Sequence, residues 1–274
     1  MALISLDTEC TGVQRASGAT PFNPQNKMVC LSIVKSKDDK RNFKFEYDET
    51  NPVLVDVRNV QQEVDAASAI VMMNAKFDYA WCDRYGINLR DKKLWDIQVF
   101  HFIQLRQTTP YPSLNQIAEY WGLPTKLDVV KTEYWEQGLD TDQVPWEILS
   151  EYCDHDTWLT LEIAKRQMAY YRKNMSRKQQ ALVKCAMLDI HNLAEMERSG
   201  FYYDHAVSQE LCQKAEERIR ELQAEIRSLL GVDQFPEEVA DHVNLGSNDH
   251  LSALLYGGVI KYVSEESYVF LNVS

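Results

Sequence analysis

Hydrophobic and polar positions along the first half of the chain alternate between short apolar runs and helical spacings. Leu3-Ile4-Ser5-Leu6 is an apolar run that predicts a buried strand, and it leads straight into Asp7-Thr8-Glu9. Residues 28–35 predict a second strand. Residues 42–47 predict a third, with Phe43, Phe45 and Tyr47 on one face. The polar stretch 36–40 between them reads as a turn. A short helix follows over 60–67, then a strand over 69–73 that ends at Asn74. A helix over 77–85 closes at Gly86. From Ile97 onward the pattern is mostly helical. Ser113 fits an N-cap for a helix to Trp121, and Pro145 suits the first turn of a long helix carrying Tyr152 and Asp156. Strands interspersed with helices define an α/β fold.

Past residue 175 the character changes. Residues 176–199 form one helical stretch ended by Gly200, and Asp204 caps a second helix that runs to Leu230. Val207, Leu211, Ala215, Ile219, Leu222, Ile226 and Leu229 fall three or four apart, which predicts one buried stripe in a helix pair or short coiled coil. Ser247 caps a third, short helix to Tyr256. The division is therefore an α/β domain over 1–175 and an all-helical segment over 176–274.

Composition narrows the class. An apolar content of 45% with 26% charged residues is ordinary for a globular chain. No run of about 18 apolar residues is present, so no membrane partner is expected. The first residues lack the basic and apolar regions of a signal peptide. Cysteines at 10, 30, 82, 153, 185 and 212 include no Cys-x-x-Cys pair, so reduced thiols and no zinc site are expected. A net charge of −12 argues against broad duplex binding through a basic face. It leaves open a grip on a few nucleotides of single strand.

Candidate chemistry gathers at carboxylates. Asp7 and Glu9 stand two apart on a predicted strand and share a face. Asp78 follows Asn74 by four positions where a strand hands over to a helix. Tyr152 and Asp156 stand four apart on a predicted helix. Each motif alone is compatible with a solvated strand end, a helix cap or an ordinary helix pair. Together they describe clustered acids, which are unfavourable unless cations neutralise them. Oxygen ligands favour Mg²⁺ or Mn²⁺, and the natural chemistry is two-metal hydrolysis of a phosphodiester.

In order, Asp7-x-Glu9, Asn74-x-x-x-Asp78 and Tyr152-x-x-x-Asp156 resemble the 3′→5′ exonucleases of the DEDD superfamily, tyrosine branch. The nearest likeness is the proofreading domain of phage and bacterial family A DNA polymerases. The histidine branch does not fit, because Glu151 stands five positions before Asp156. The resemblance implies a ribonuclease H-like mixed sheet flanked by helices, with two ions held by Asp7, Glu9, Asp78 and Asp156. It implies that Tyr152 orients the attacking water, and that Thr8, Val13 and Asn74 contact the 3′ end of single-stranded DNA. It also places the protein in the cytoplasm of a bacterial or phage-infected cell. Softer candidates are Lys126 and Lys131, which could meet phosphate but alone read better as a solvated face, and Asp96, Asp154 and His155, which read as partners of the ligands or as plain surface polar groups.

Met196-Glu197-Arg198-Ser199-Gly200, then Asp204 and Asn244-Leu245-Gly246-Ser247, resemble the start of the polymerase region at the base of the thumb. No palm-type aspartate motif follows residue 200. The expectation is an exonuclease cut or split from its polymerase part, with a polymerase polypeptide as partner and no polymerase activity of its own. Ribonuclease D-like RNA trimming and an inactive exonuclease fold serving as a polymerase platform are the alternatives.

Overall fold

The computed structural model of the chain describes residues 2–12, 18–45, 57–108, 111–263 and 268–273. Val13 and Tyr47 lie outside the described residues. Strand β1 (Leu3–Cys10) carries the first motif and occupies the middle of a five-stranded sheet. Around it stand β2 (Met28–Ser36), β3 (Asp39–Lys44), β4 (Ala69–Met72) and β5 (Leu94–Asp96) in the order β3-β2-β1-β4-β5. β1 pairs antiparallel with β2 and parallel with β4, so the sheet is mixed. Three-residue β5 is a finding that the sequence pattern did not reveal. Its apolar content is too short to separate from the helical signal that follows.

Helices cover both faces. Helix α1 (Val57–Ala66) contributes Val60 and Val64 to a core built from Ile4 and Leu6 of β1, Leu31 and Ile33 of β2, and Ile70 and Met72 of β4. Helix α2 (Ala75–Arg84) adds Tyr79, Trp81 and Cys82 to it. Trp81 is fully buried, and its indole N–H donates to the Ala19 carbonyl at 3.1 Å. Helix α3 (Ile97–Gln104) follows β5 directly, and α4 (Leu114–Tyr120) starts at Ser113 in a reciprocal cap with Gln116. A short helix, α5 (Val129–Glu133), precedes α6 (Trp146–Asn174), which packs across β2 and β1. The buried residues of α6, among them Leu149, Tyr152, Cys153, Asp156, Leu159, Ile163 and Gln167, recur at three or four. Buried Gln167 is satisfied from both ends, accepting from Trp95 Nε1 and donating to the Ile97 carbonyl.

The boundary between units differs from the expected break at 175. The chain divides into Met1–Gly200 and Phe201–Ser274. Helix α7 (Arg177–Ser199), capped by Ser176, sends Val183, Met187, Ile190 and Ala194 into the core of the first unit. The reason is contact rather than composition: an amphipathic helix belongs to whichever core its apolar stripe meets.

The second unit holds α8 (His205–Leu229), α9 (Glu237–Ala240), α10 (Asn248–Tyr256) and an antiparallel hairpin of β6 (Gly258–Val263) and β7 (Tyr268–Val273). The hairpin corrects the all-helical expectation for this segment. Asp204 caps α8 by accepting from Val207 N, and Ser247 caps α10 by accepting from His250 N. A small core joins Val232, Ala240, Val243, Ala253 and Ile260. The predicted stripe on α8 is not buried: Val207 is 50% exposed, Leu211 60% and Ile219 53%. Periodicity shows an apolar face but not whether anything covers it. Among the described residues, no helix is long and apolar enough to cross a membrane.

The placement of α7 generates a test. Ile190→Ala should cost about 2–5 kcal/mol of stability, because a fully packed site leaves a cavity. Leu188→Ala on the exposed side of the same helix should cost far less. Urea unfolding of both variants checks it; equal losses would remove α7 from the core.

Candidate active site

On β1, odd and even positions face opposite layers. Asp7 and Glu9 turn toward α6, while Ile4 and Leu6 fill the core on the other side. The β1–β2 register slips by one residue between Glu9 and Cys10, a bulge immediately after the two acids. Beyond it the strand end is pinned. Both oxygens of Asp140 accept from Gly12 N, at 3.0 and 3.1 Å, and the Thr141 hydroxyl donates to the Cys10 carbonyl at 2.8 Å.

Asp78 arrives from the first turn of α2. Its Oδ1 accepts from the Thr8 amide at 3.0 Å and from the Thr8 hydroxyl at 2.7 Å. Thr8, expected as a substrate contact, therefore holds Asp78: it is buried and its donors are engaged there. The turn that delivers Asp78 is built by Asn74 and Asp96. Asn74 adopts a left-handed backbone with φ of 57°, a conformation that Asn tolerates better than most residues, and its side chain makes no capping bond. Asp96 Oδ2 instead accepts from Ala75 N at 2.7 Å, while its Oδ1 accepts from Gln98 N and Val99 N. One buried carboxylate thus caps α3 and fixes the start of α2. Asn74 itself is exposed and lines a cavity of about 330 Å³ with Thr20, Phe22, Lys76 and Phe77.

Asp156 and Tyr152 come from the buried face of α6. Lys126 Nζ donates to the Tyr152 hydroxyl at 2.8 Å, lies 5.3 Å from its ring centre and stands 3.9 Å from Asp156 Oδ2. Sequence spacing could not single out Lys126, because its loop meets α6 only in three dimensions. Asp154 turns to Ser32, whose hydroxyl donates to it at 2.8 Å. His155 packs against Trp158. Lys131 lies 3.7 Å from Glu136 on an exposed surface, away from these contacts.

The electrostatics are those of crowded acids. Burial first, then the charges of Asp78, Glu9 and Asp156, push Asp7 well above the ordinary carboxylate range. Burial raises Asp78 from 3.8 to about 7, with the Thr8 hydrogen bonds opposing and Asp96 reinforcing. Burial and the charges of Glu9, Asp156 and Asp7 hold the Tyr152 hydroxyl above its ordinary value. Asp78 Oδ2 and Asp156 Oδ1 are buried and accept no hydrogen bond. Asp7, Glu9 and Cys153 offer ligand atoms all within 4.8 Å of one another. Such a cluster can bind a divalent cation that offsets its own repulsion. A larger cavity of about 720 Å³ lies elsewhere, lined by Leu94, Trp95, Met168, Tyr171 and Met187. Its lining also carries Arg90, Lys92, Lys93, Arg172 and Lys184, with Asp91 as its one acid, so it lacks the clustered carboxylates of β1 and α6.

The chain is similar to known proteins in sequence and in fold. A DNA polymerase of Bacillus phage SP01 is 26% identical over 173 residues, a match that takes in 61% of this chain and 18% of that protein. Among solved structures, Brucella melitensis NrnC with bound Mg²⁺ superposes with a TM-score of 0.53 at 10% identity, covering 75% of this chain and 91% of that one. The POL domain of Pol1 from M. smegmatis, in complex with DNA primer-template and dNTP, gives 0.62 at 15% identity, covering 97% and 39%. At these identities the two structures speak for the fold alone. Residues 1–168 match the family described as 3′–5′ exonuclease, and with well over half of its 274 residues inside that match the chain belongs to this family.

Proposed function

We propose that the chain removes nucleotides from the 3′ end of single-stranded DNA as nucleoside 5′-monophosphates, as the proofreading part of a family A DNA polymerase. The observation that carries this reading is the convergence of Asp7, Glu9, Asp78 and Asp156 with two buried carboxylate oxygens that accept no hydrogen bond. The donor set fits hard divalent ions. Asp7, Glu9 and Asp156 would hold one ion, and Asp7 with Asp78 a second. Bound there, Mg²⁺ or Mn²⁺ would lower the pKa of an attacking water and neutralise the phosphodiester.

The chain's own residues then do the positioning. Thr8 fixes the Asp78 carboxylate, and Asp96 fixes the turn beneath it. The Lys126 ammonium occupies an acceptor position of the Tyr152 oxygen, and the hydroxyl proton is directed to the Asp156 carboxylate, with which it hydrogen-bonds. Because that hydroxyl stays protonated, Tyr152 orients and does not act as a base. Asn74, Lys76, Phe22 and Phe77 around one cavity suit the base and phosphate of a terminal nucleotide. The likeness to a phage DNA polymerase supports DNA over RNA, and a polymerase polypeptide as the partner. Hydrolysis of matched DNA and RNA oligonucleotides tests it. Faster release from RNA would replace the DNA reading with 3′ trimming of RNA.

Asp7→Ala should fold and lose at least about a hundredfold in rate with Mg²⁺, since it removes a ligand shared by both ions. Single-turnover hydrolysis checks it, and near-normal activity would sink the assignment.

Tyr152→Phe should lose about tenfold to a thousandfold in rate with little change in DNA affinity. Full rate with weak binding would make Tyr152 a substrate contact instead.

The raised pKa of Asp78 has a signed consequence. Folding binds its proton more tightly, so this group stabilises the metal-free protein below about pH 4, an effect lost as pH rises through about 7. Stability of the wild type relative to Asp78→Asn should therefore fall across that window, and Mg²⁺ should restore it at the alkaline end. Thermal melts in chelator and in Mg²⁺ measure this; parallel curves for the two proteins would contradict it.

A further inference from the structure

Cys153 stands where the chemistry of the carboxylate cluster changes. It lies on α6 between Tyr152 and Asp156, is fully buried, and has its Sγ 4.0 Å from the Asp7 carbonyl. Its sulfur and carboxylate oxygens of Asp7 and Glu9 lie within 4.8 Å of one another. The Cys30 sulfur, cross-strand from Glu9 on β2, accepts from the Cys153 thiol, and this contact with burial holds that thiol well above its ordinary range. Beside this trio, Asp156 is 6% exposed, and its buried Oδ1 accepts no hydrogen bond. The absence of Cys-x-x-Cys spacing argued against a zinc site, but this sulfur joins the acids through the fold rather than through the sequence.

Hard and soft cations would treat this cluster differently. Mg²⁺ takes oxygen ligands and leaves a thiol protonated. Zn²⁺ and Cd²⁺ accept thiolate readily, and a metal can deprotonate a coordinating thiol outright. Modest side-chain movement would bring the three donors to bonds of about 2.0–2.3 Å around one ion.

We infer that Asp7, Glu9 and Cys153 form a site for thiophilic divalent cations that overlaps the catalytic carboxylates, so that Zn²⁺ or Cd²⁺ displaces Mg²⁺ and inhibits. On binding, the Cys153 S–H bond breaks, its proton leaves to solvent, and the sulfur bonds the metal; no redox change occurs. The acids are then held by an ion whose position is set by sulfur, away from the arrangement that serves water and phosphodiester. The inhibitory consequence rests on the exonuclease reading; the binding of the cation does not.

The experiment uses the full chain with exposed Cys185 and Cys212 replaced (Cys185→Ser, Cys212→Ser), to remove unrelated thiols. Cd²⁺ titration, followed by ultraviolet absorption, should give a sulfur-to-metal charge-transfer band that saturates at one equivalent. Adding Cys153→Ser should abolish it, and Cys153→Ala should do the same, with both variants folded by circular dichroism. The Zn²⁺ concentration for half-inhibition of Mg²⁺-supported hydrolysis, read relative to each variant's own rate in Mg²⁺, should rise about 10- to 100-fold in both. A band that persists without Cys153, or Cd²⁺ binding with no band in the parent, overturns the site. Unchanged Zn²⁺ sensitivity overturns the inhibition. If the parent hydrolyses nothing in Mg²⁺, the exonuclease reading fails, and the band alone then decides for or against the sulfur site.

Discussion

Repulsion among buried carboxylates is the constraint around which the rest of this site is arranged. Asp7 sits within reach of Asp78, Glu9 and Asp156, a set drawn from one strand and two helices. In a medium less polarisable than water, such a set is held only if other contacts fix each member. The structure supplies them. Thr8 grips Asp78 through two donors, Asp140 pins the backbone after Glu9, and Lys126 stands across Tyr152 and Asp156. Asp96, itself buried, satisfies three amides at two helix starts. Removing any of these would leave the acids where solvent or relaxation could separate them. The fold is thus organised to keep unfavourable neighbours together until a cation offsets them.

Much of this was legible in the sequence because it is local. Continuous apolar runs placed β1, β2 and β4, and caps placed the long helices. Ser113, Asp204 and Ser247 all act as the N-caps their residue types suggested. The strand parity of Asp7 and Glu9 and the four-residue spacing of Tyr152 and Asp156 brought the acids to one region without any coordinates.

What was not legible depends on contacts distant in sequence. Lys126 looked like a solvated residue until its loop met Tyr152. The two hydrogen bonds from Thr8 to Asp78 join positions 70 apart, which no local spacing shows. Cys153 was one of six scattered thiols, and nothing in its spacing revealed a neighbouring carboxylate pair. Periodicity predicted a buried apolar stripe on α8, and none was read on α7. Only packing shows that Ile190 is 2% exposed while Ile219 is 53% exposed. The terminal hairpin escaped for a related reason, since short strands after a helix carry little pattern of their own.

The clasp between Gly12 and Asp140 joins positions 128 apart in the chain. Contacts of such separation form late in folding, because the entropy of closing the intervening loop must be met before they contribute. During synthesis, β1 emerges with its acids long before α6 exists to complete the cluster. The emerging chain therefore carries no assembled site, and the site is complete only once α6 has docked. On the proposed reading, cation affinity would therefore report completed folding.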